Sequence, residues 1–477
     1  VDVAVLGATG DVGRQVVTRL VDSRVLPTSS RLQLVGRPDG SSGRAVHGLR
    51  ADLMDAYDEH APLLDVALRP QDVVADIVVM AAGRTNPARP GATHDRSALA
   101  EANLPVFRAY AEALAEHGSG HEVVVVVTNP VELAVAVLAE TLGRHRVIGM
   151  GAWLDTLRFR REVAVQLGVR RHRVGGFVAG QHGEDVVPLW SSVRISGLDV
   201  DERRRAVARL RGGRTLATFP DEIAEAKARL AALAEHDIGA AFALLDTWPA
   251  DLQTVARPWM THQSGAKTPA GTAAATADLV ATILDGRDIV VAGQVALAGE
   301  VAVGGHPVHG VLGVPVVLGS EGWTRVLLDE LAPDEDVRLT GVVERIAAGV
   351  DPYLRASEVR PTTAPPVAAQ GATESEAAPD AEPAPAAEVV EPDPDAARWV
   401  ARIDTDHRTG AIAALAAVFA TRGVNVDSLR TDDTDDGAEA GTVVVAFRAD
   451  ERRCRVLVRS LGRLAVVRAV EVRAAAV

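Results

Sequence analysis

One cysteine, Cys454, stands in 477 residues, so a single chain can form neither a disulfide framework nor a thiolate metal site, and a reducing, cytoplasmic setting is expected. No apolar run approaches the roughly 20 residues that span a bilayer; Val123 to Val127 is only strand-sized. No signal peptide is visible. Long runs of Lys and Arg are also missing, and the formal charge is −14, which argues against nucleic acid and against an anionic membrane as partners. Any anion bound here must meet positive charge that is local.

What is present is a 47% hydrophobic chain long enough for roughly two to four domains. Val3 to Leu6 is a short apolar run that enters Gly-Ala-Thr-Gly-Asp-Val-Gly, and Arg14 to Val21 follows with helical spacing. Further strand candidates at Leu32 to Val35, Asp76 to Met80, Glu122 to Val127 and Val147 to Met150 alternate with helical stretches such as Leu99 to Glu116. This alternation predicts a Rossmann-type, doubly wound α/β domain over residues 1–150. Residues 151–355 read as an α+β substrate domain, with a charged helical stretch over Asp201 to Ala234 and hairpin strands at Val290 to Ala298 and Val311 to Leu318. Residues 356–396 are rich in Ala, Pro and Glu; they offer too little apolar surface to offset ordering and predict a flexible linker. Residues 397–477 predict a separate βαββαβ ferredoxin-like domain.

Gly7, Gly10 and Gly13, with Asp11 and Val12 between them, sit where a Gly-rich loop lets a pyrophosphate approach the start of a helix. The spacing is G-x-x-G-x-x-G, which alone is a weak signal. At the end of the second strand, where an acid selects NAD by bonding the ribose, this chain has Gly36-Arg37. Arg37, with Ser41, Ser42 or Arg44, would suit a 2′-phosphate, so NADP is expected ahead of NAD; the alternative is that Asp39 serves the ribose. Farther on come His182 in Gly-Gln-His-Gly-Glu-Asp and Asp155 with Arg158 in Leu-Asp-Thr-Leu-Arg-Phe. A cradle, an acid/base and an anion clamp together suggest hydride chemistry on a carboxylate substrate. Asp and Arg three apart also occur as plain surface ion pairs. His306 and His309 have metal-ligand spacing but no partnering cysteines, and no metal is expected.

These motifs, with Val-Thr-Asn-Pro-Val at Val127 to Val131, follow one another in the order found in the malate/lactate dehydrogenase family, which residues 1 to about 353 resemble. The resemblance implies that His182 exchanges the proton, Asp155 orients it, Arg158 clamps the substrate carboxylate and Arg96 polarises its carbonyl. It further implies that Asn129 meets the carboxamide or a water, with Asn103 beside the cofactor. Arg89, in Arg-Pro-Gly, resembles the residue that meets a second carboxylate in malate enzymes, but the segment is about two residues long, and Arg84 and His94 compete for that role. Gln181 and Asp185 depart from the family pattern, and Asp201 to Gln263 is longer than its equivalent; these changes are expected beside the substrate pocket. The resemblance also implies a homo-dimer or tetramer.

The C-terminal residues Trp399 to Arg473 resemble an ACT domain, carried by Asp406 to Ile412 and Arg422 to Leu429. That implies an amino-acid effector, with Gly410 at its carboxylate and Asn425 and Asp427 at its ammonium; a dimerisation module without ligand is the alternative. The reading for the whole is an oxidoreductase acting on a 2-oxo/2-hydroxy acid, malate/oxaloacetate first. A larger or lactate-like acid and a weakly active scaffold are the alternatives, and NAD- and metal-using glycosidase relatives are disfavoured by the lack of a cysteine ligand.

Overall fold

The computed structural model describes residues 1–85, 95–358, 397–406, 411–421, 424–432, 440–462, 464 and 466–475. Arg89, His94, Gly410 and the linker from 359 to 396 lie outside the described residues. Contacts divide the chain into two units, the first ending at Leu354.

The first unit begins with β1 (Val3–Leu6), α1 (Asp11–Asp22), β2 (Arg31–Val35), α2 (Ser41–Tyr57), β3 (Leu63–Ala67), β4 (Ile77–Met80), α3 (Arg96–His117), β5 (Val123–Val126), α4 (Val131–Leu142) and β6 (Val147–Gly149). The strands pair in the order β3-β2-β1-β4-β5-β6, all parallel. That is the dinucleotide-binding order, and its reversal beside β1 opens a crevice at the strands' carboxyl ends. The sequence explains the burial: VAVL, IVVM and VVVV are apolar on both faces, and helices cover both faces of the sheet. α1 turns Val16, Val17, Leu20 and Val21 inward at helical spacing.

The chain continues as α5 (Gly151–Leu167), β7 (Val174–Gly180), β8 (Val186–Ile195), α6 (Val200–Arg211), α7 (Phe219–Ala234), α8 (Ile238–Leu245), α9 (Ala250–Gln263), α10 (Pro269–Asp285), β9 (Ile289–Val303), β10 (His306–Gly319), β11 (Gly322–Val326) and α11 (Pro333–Glu358). The sheet runs on as β6-β9-β10-β7-β8, with β11 on β10, and these added pairings are antiparallel. Only one residue pair, Gly149 with Gln294, joins β6 to β9. The expected hairpin is β9 and β10, longer than anticipated at both ends. The charged stretch from Asp201 is two helices, because Gly212 and Gly213 adopt left-handed backbone after α6. α11 continues through Ala356 to Glu358, with Pro352 inside it.

The second unit holds β12 (Ala397–Asp406), α12 (Ala411–Thr421), β13 (Val426–Asp432), β14 (Ala440–Ala449), α13 (Glu451–Leu461) and β15 (Val467–Ala474). Its four strands form an antiparallel sheet in the order β13-β14-β12-β15. Ala401, Ile403, Val443, Val445 and Phe447 on the sheet pack with Phe419 and Leu457 from the helices in a core of their own.

Candidate active site

The loop from β1 into α1 is shaped by close backbone approach. Gly7 has φ +75, and a Cβ on Gly13 would stand 2.1 Å from the Gly7 carbonyl oxygen, so neither position accepts a side chain. Gly10 is the N-cap of α1 and no side chain caps the helix. The first-turn amides of Asp11, Val12 and Gly13 thus have no intrahelical partner and suit an anion.

At the other side of the crevice His182, in the turn between β7 and β8, donates from Nδ1 to Oδ2 of Asp155 at 2.7 Å. The Gly183 amide donates to the same oxygen at 3.2 Å, and Arg158 Nη1 donates to Oδ1 at 2.9 Å. Burial by itself would raise the Asp155 carboxyl, but the His182 charge and hydrogen bond, Arg158 and the Gly183 amide together hold it below the usual carboxylate value. Asp155 is therefore a fixed anion at neutral pH, and its hydrogen bond leaves Nε2 as the imidazole nitrogen free for a substrate. The ring packs on the start of α5, where a Cβ on Gly151 would lie 2.5 Å from His182 Cγ. Arg158 is one helical turn beyond Asp155, and its side chain is 19% exposed, enough to reach a ligand.

Two buried amide and carboxylate groups tie the remaining elements together. Asn103, fully buried on α3, donates to the carbonyls of Arg84 (3.0 Å) and Asn129 (2.7 Å) and accepts from the Arg84 amide at 2.7 Å. It thus pins the ends of β4 and β5 rather than offering its amide to the crevice, where Asn129 is exposed before the cis peptide to Pro130. Glu132, 1% exposed at the start of α4, accepts from the His182 amide at 2.8 Å and lies 3.5 Å from Arg96 Nη1. Arg96 Nη2 donates to the His182 carbonyl. His182, Asp155, Arg158 and Arg96 are accordingly gathered around one histidine, from three separate stretches of sequence. Glu132 was missed by sequence reasoning; its position directly after Asn-Pro-Val was the available signal.

The description "lactate/malate dehydrogenase, NAD binding domain" matches residues 1–149. A malate dehydrogenase of Halobacterium salinarum is 30% identical over 363 residues, 73% of this chain and 98% of the relative. The chain belongs to the lactate/malate dehydrogenase family. Among solved structures, the malate dehydrogenase of Aeropyrum pernix superimposes with a TM-score of 0.54 at 23% identity, covering 73% of this chain and 97% of that one. The lactate dehydrogenase of Cryptosporidium parvum, solved with lactic acid and nicotinamide adenine dinucleotide, gives 0.57 at 20% identity, covering 76% and 98%. These two likenesses concern the fold, and they extend it over both halves of the first unit.

In this dehydrogenase Asp185, expected beside the substrate pocket, has its carboxylate engaged by the last helix of the unit. It accepts from Arg338 at 2.7 Å and from Arg345 at 3.0 Å, both on α11, and so anchors the turn that carries His182 to that helix. The helices between Asp201 and Gln263 reach that turn. Lys227 of α7 pairs with Glu184, two residues after His182, while lying over the Trp259 ring of α9. The chain has only two lysines, and the other, Lys267, pairs with Asp11 at the start of α1. His306 and His309 lie on β10, and no group of three or more metal-ligand side chains is assembled among the described residues. In the second unit Asp427 lies 3.8 Å from Arg398 and 3.7 Å from Arg448, so guanidinium groups of the same sheet face its carboxylate.

Proposed function

We propose that this dehydrogenase transfers hydride between NADP(H) and a 2-hydroxy/2-oxo acid, with malate and oxaloacetate as the first pair to test. The observation that carries it is the Asp155–His182 hydrogen bond with Arg158 on the same carboxylate. When bound, the nicotinamide supplies or accepts the hydride. His182 holds the proton on Nε2 and gives it to the carbonyl oxygen in the reducing direction, taking it back in the other. Asp155 accepts from Nδ1 and balances the charge while the imidazole is protonated. Arg158 offers a planar two-donor fork to the substrate carboxylate, while Arg96 directs positive charge at the carbonyl oxygen as it gains electron density. Asn129 meets the carboxamide.

The dinucleotide reading is supported by the crowded turn of Gly7 and Gly13 and the uncapped amides of α1. The preference for NADP is supported by the end of β2. A Cβ on Gly36 would meet the Ser42 carbonyl at 3.2 Å and Val46 at 3.3 Å, leaving poor room for the acidic side chain that bonds a bare ribose. Beside it Arg37 is exposed, and Ser42 Oγ lies 3.4 Å from the Arg37 amide and 2.9 Å from Thr9 Oγ1, a polar cluster next to the phosphate loop. For a second carboxylate, Arg84 has its peptide clamped by Asn103, while Arg89 and His94 are the other candidates. A homo-dimer or tetramer in a cytoplasmic setting completes the reading.

The second unit's chain order and sheet order accord with a ferredoxin-like, ACT-type module. An amino acid bound there would alter turnover only by favouring one arrangement over another. The test is initial-rate kinetics with NADPH and NADH in parallel against oxaloacetate, pyruvate and bulkier 2-oxo acids, with and without each proteinogenic amino acid. Fast oxaloacetate reduction with a clear NADPH preference is the expected result. A preference for NADH would remove the Arg37 role, and no turnover with any acid would remove the catalytic reading.

A further inference from the structure

We propose that Glu132 is a positioning residue that sets both the proton-transfer histidine and the carbonyl-polarising arginine, a role resting on the catalytic reading of His182 and Arg96 given above. Glu132 is the second residue of α4, where the free amides of a helix start favour a carboxylate. It is 1% exposed, so its charge must be compensated by what touches it. The two oxygens divide that task. Oε1 accepts from the His182 backbone amide at 2.8 Å, and Oε2 faces Arg96 Nη1 at 3.5 Å.

Arg96 closes the circuit by donating from its other terminal nitrogen to the His182 carbonyl. The His182 peptide is thus gripped on its N–H by Glu132 and on its C=O by Arg96, while Asp155 grips the ring. Asp155 fixes which nitrogen of the imidazole points outward; Glu132 fixes where the backbone beneath it stands and where the Arg96 fork lies relative to it. Arg96 is 40% exposed in its side chain and sits at the first position of α3, so without Glu132 its long stem has many other rotamers in reach. A misplacement of about 1 Å in such a donor is enough to cost turnover. Glu132 touches neither substrate nor cofactor in this scheme and acts through the two residues that do.

The test is a double-mutant cycle on the full chain with Glu132→Gln, Arg96→Gln and both together, read as kcat and KM separately. Gln keeps an oxygen for the His182 amide and loses the charge facing Arg96. Glu132→Gln should lower kcat about 10-fold with KM for the 2-oxo acid changed less than about 2-fold, and this loss should shrink to near nothing in the Arg96→Gln background. Glu132→Ala, which releases both partners, should lower kcat further than Gln does. An undiminished loss in the Arg96→Gln background, a loss that tracks only a falling Tm, or no change in kcat would each overturn the proposal. Imidazole NMR separates this idea from the catalytic reading itself. Glu132→Gln should shift the His182 ring signals, because the group that holds its backbone amide has changed. If the wild type turned over no 2-oxo acid yet showed that shift, the substrate reading would fail and the positioning role would stand; unmoved His182 signals would end the positioning role.

Discussion

The two units of this chain solve burial in opposite ways. In the first, β1, β4 and β5 are buried at every residue, because helices lie on both faces of a parallel sheet. In the second, β12 alternates, with Ala401, Ile403 and Thr405 inward and Arg402 outward, because its two helices account for one face of an antiparallel sheet. Fully buried strands carry no pattern beyond their apolarity, and the register that matters is set by where loops leave them. Alternating strands carry their register in the sequence. The first unit therefore gathers its glycine loop, Asn129 and His182 at strand ends, in the turns after β1, β5 and β7, whereas the second has charged side chains spread along its sheet.

The comparison is most sharply tested at His182. His182→Asn should lower kcat by about 100- to 10,000-fold, as expected for loss of a general acid/base, with no effect on the second unit. That last point can be read from Cys454. Burial, with Asp450 and Glu451 nearby, pushes its thiol up to about 11, so it should resist alkylation at neutral pH while its unit is folded. The converse variant is Leu457→Ala, at a fully buried position of the second core. Such a truncation costs about 2–5 kcal/mol, so Cys454 should become readily alkylated while basal dehydrogenase turnover stays at the wild-type level. A fall in turnover would mean that the units are energetically coupled.

A smaller effect is expected at the cofactor end. Arg37→Asp should shift the NADPH to NADH ratio of kcat/KM by about 10- to 100-fold toward NADH, the worth of one charge-assisted contact with the 2′-phosphate. An unchanged ratio would assign the ribose to another residue. The smallest effect concerns acid stability. The Asp155 carboxyl is held below its ordinary value in the fold, so its contribution is complete above about 3.9 and is lost as pH falls through the lower, folded value. The gap in urea midpoint between wild type and Asp155→Asn should therefore be widest near neutrality and narrow below about pH 4. A gap that widens on acidification would reverse the assignment of Asp155 as a stabilised anion.

Local signals were the legible ones. The glycine loop, the alternation of elements and the Asp155–Arg158 spacing along one helix can all be read within a few residues. What could not be read was where a charged side chain finds its partner across the chain. Asp185 was expected beside the pocket because it departs from the family pattern there, while its partners are 153 and 160 residues away on α11. Glu132 drew no reading from the sequence, and only the return of β7 brings the His182 amide to it. Neither pairing leaves a periodicity or a motif behind.

Gly149 and Gln294, the single pair that joins β6 to β9, act as a splice. The family's cofactor-binding description ends at the same glycine, and a Cβ there would stand 2.9 Å from Gln294 Cβ, while Gln294 Oε1 accepts the Ala152 amide at 3.0 Å. Along the sheet, then, the parallel strands of the NAD-binding match and the antiparallel strands that carry His182 are stitched at one glycine and one glutamine.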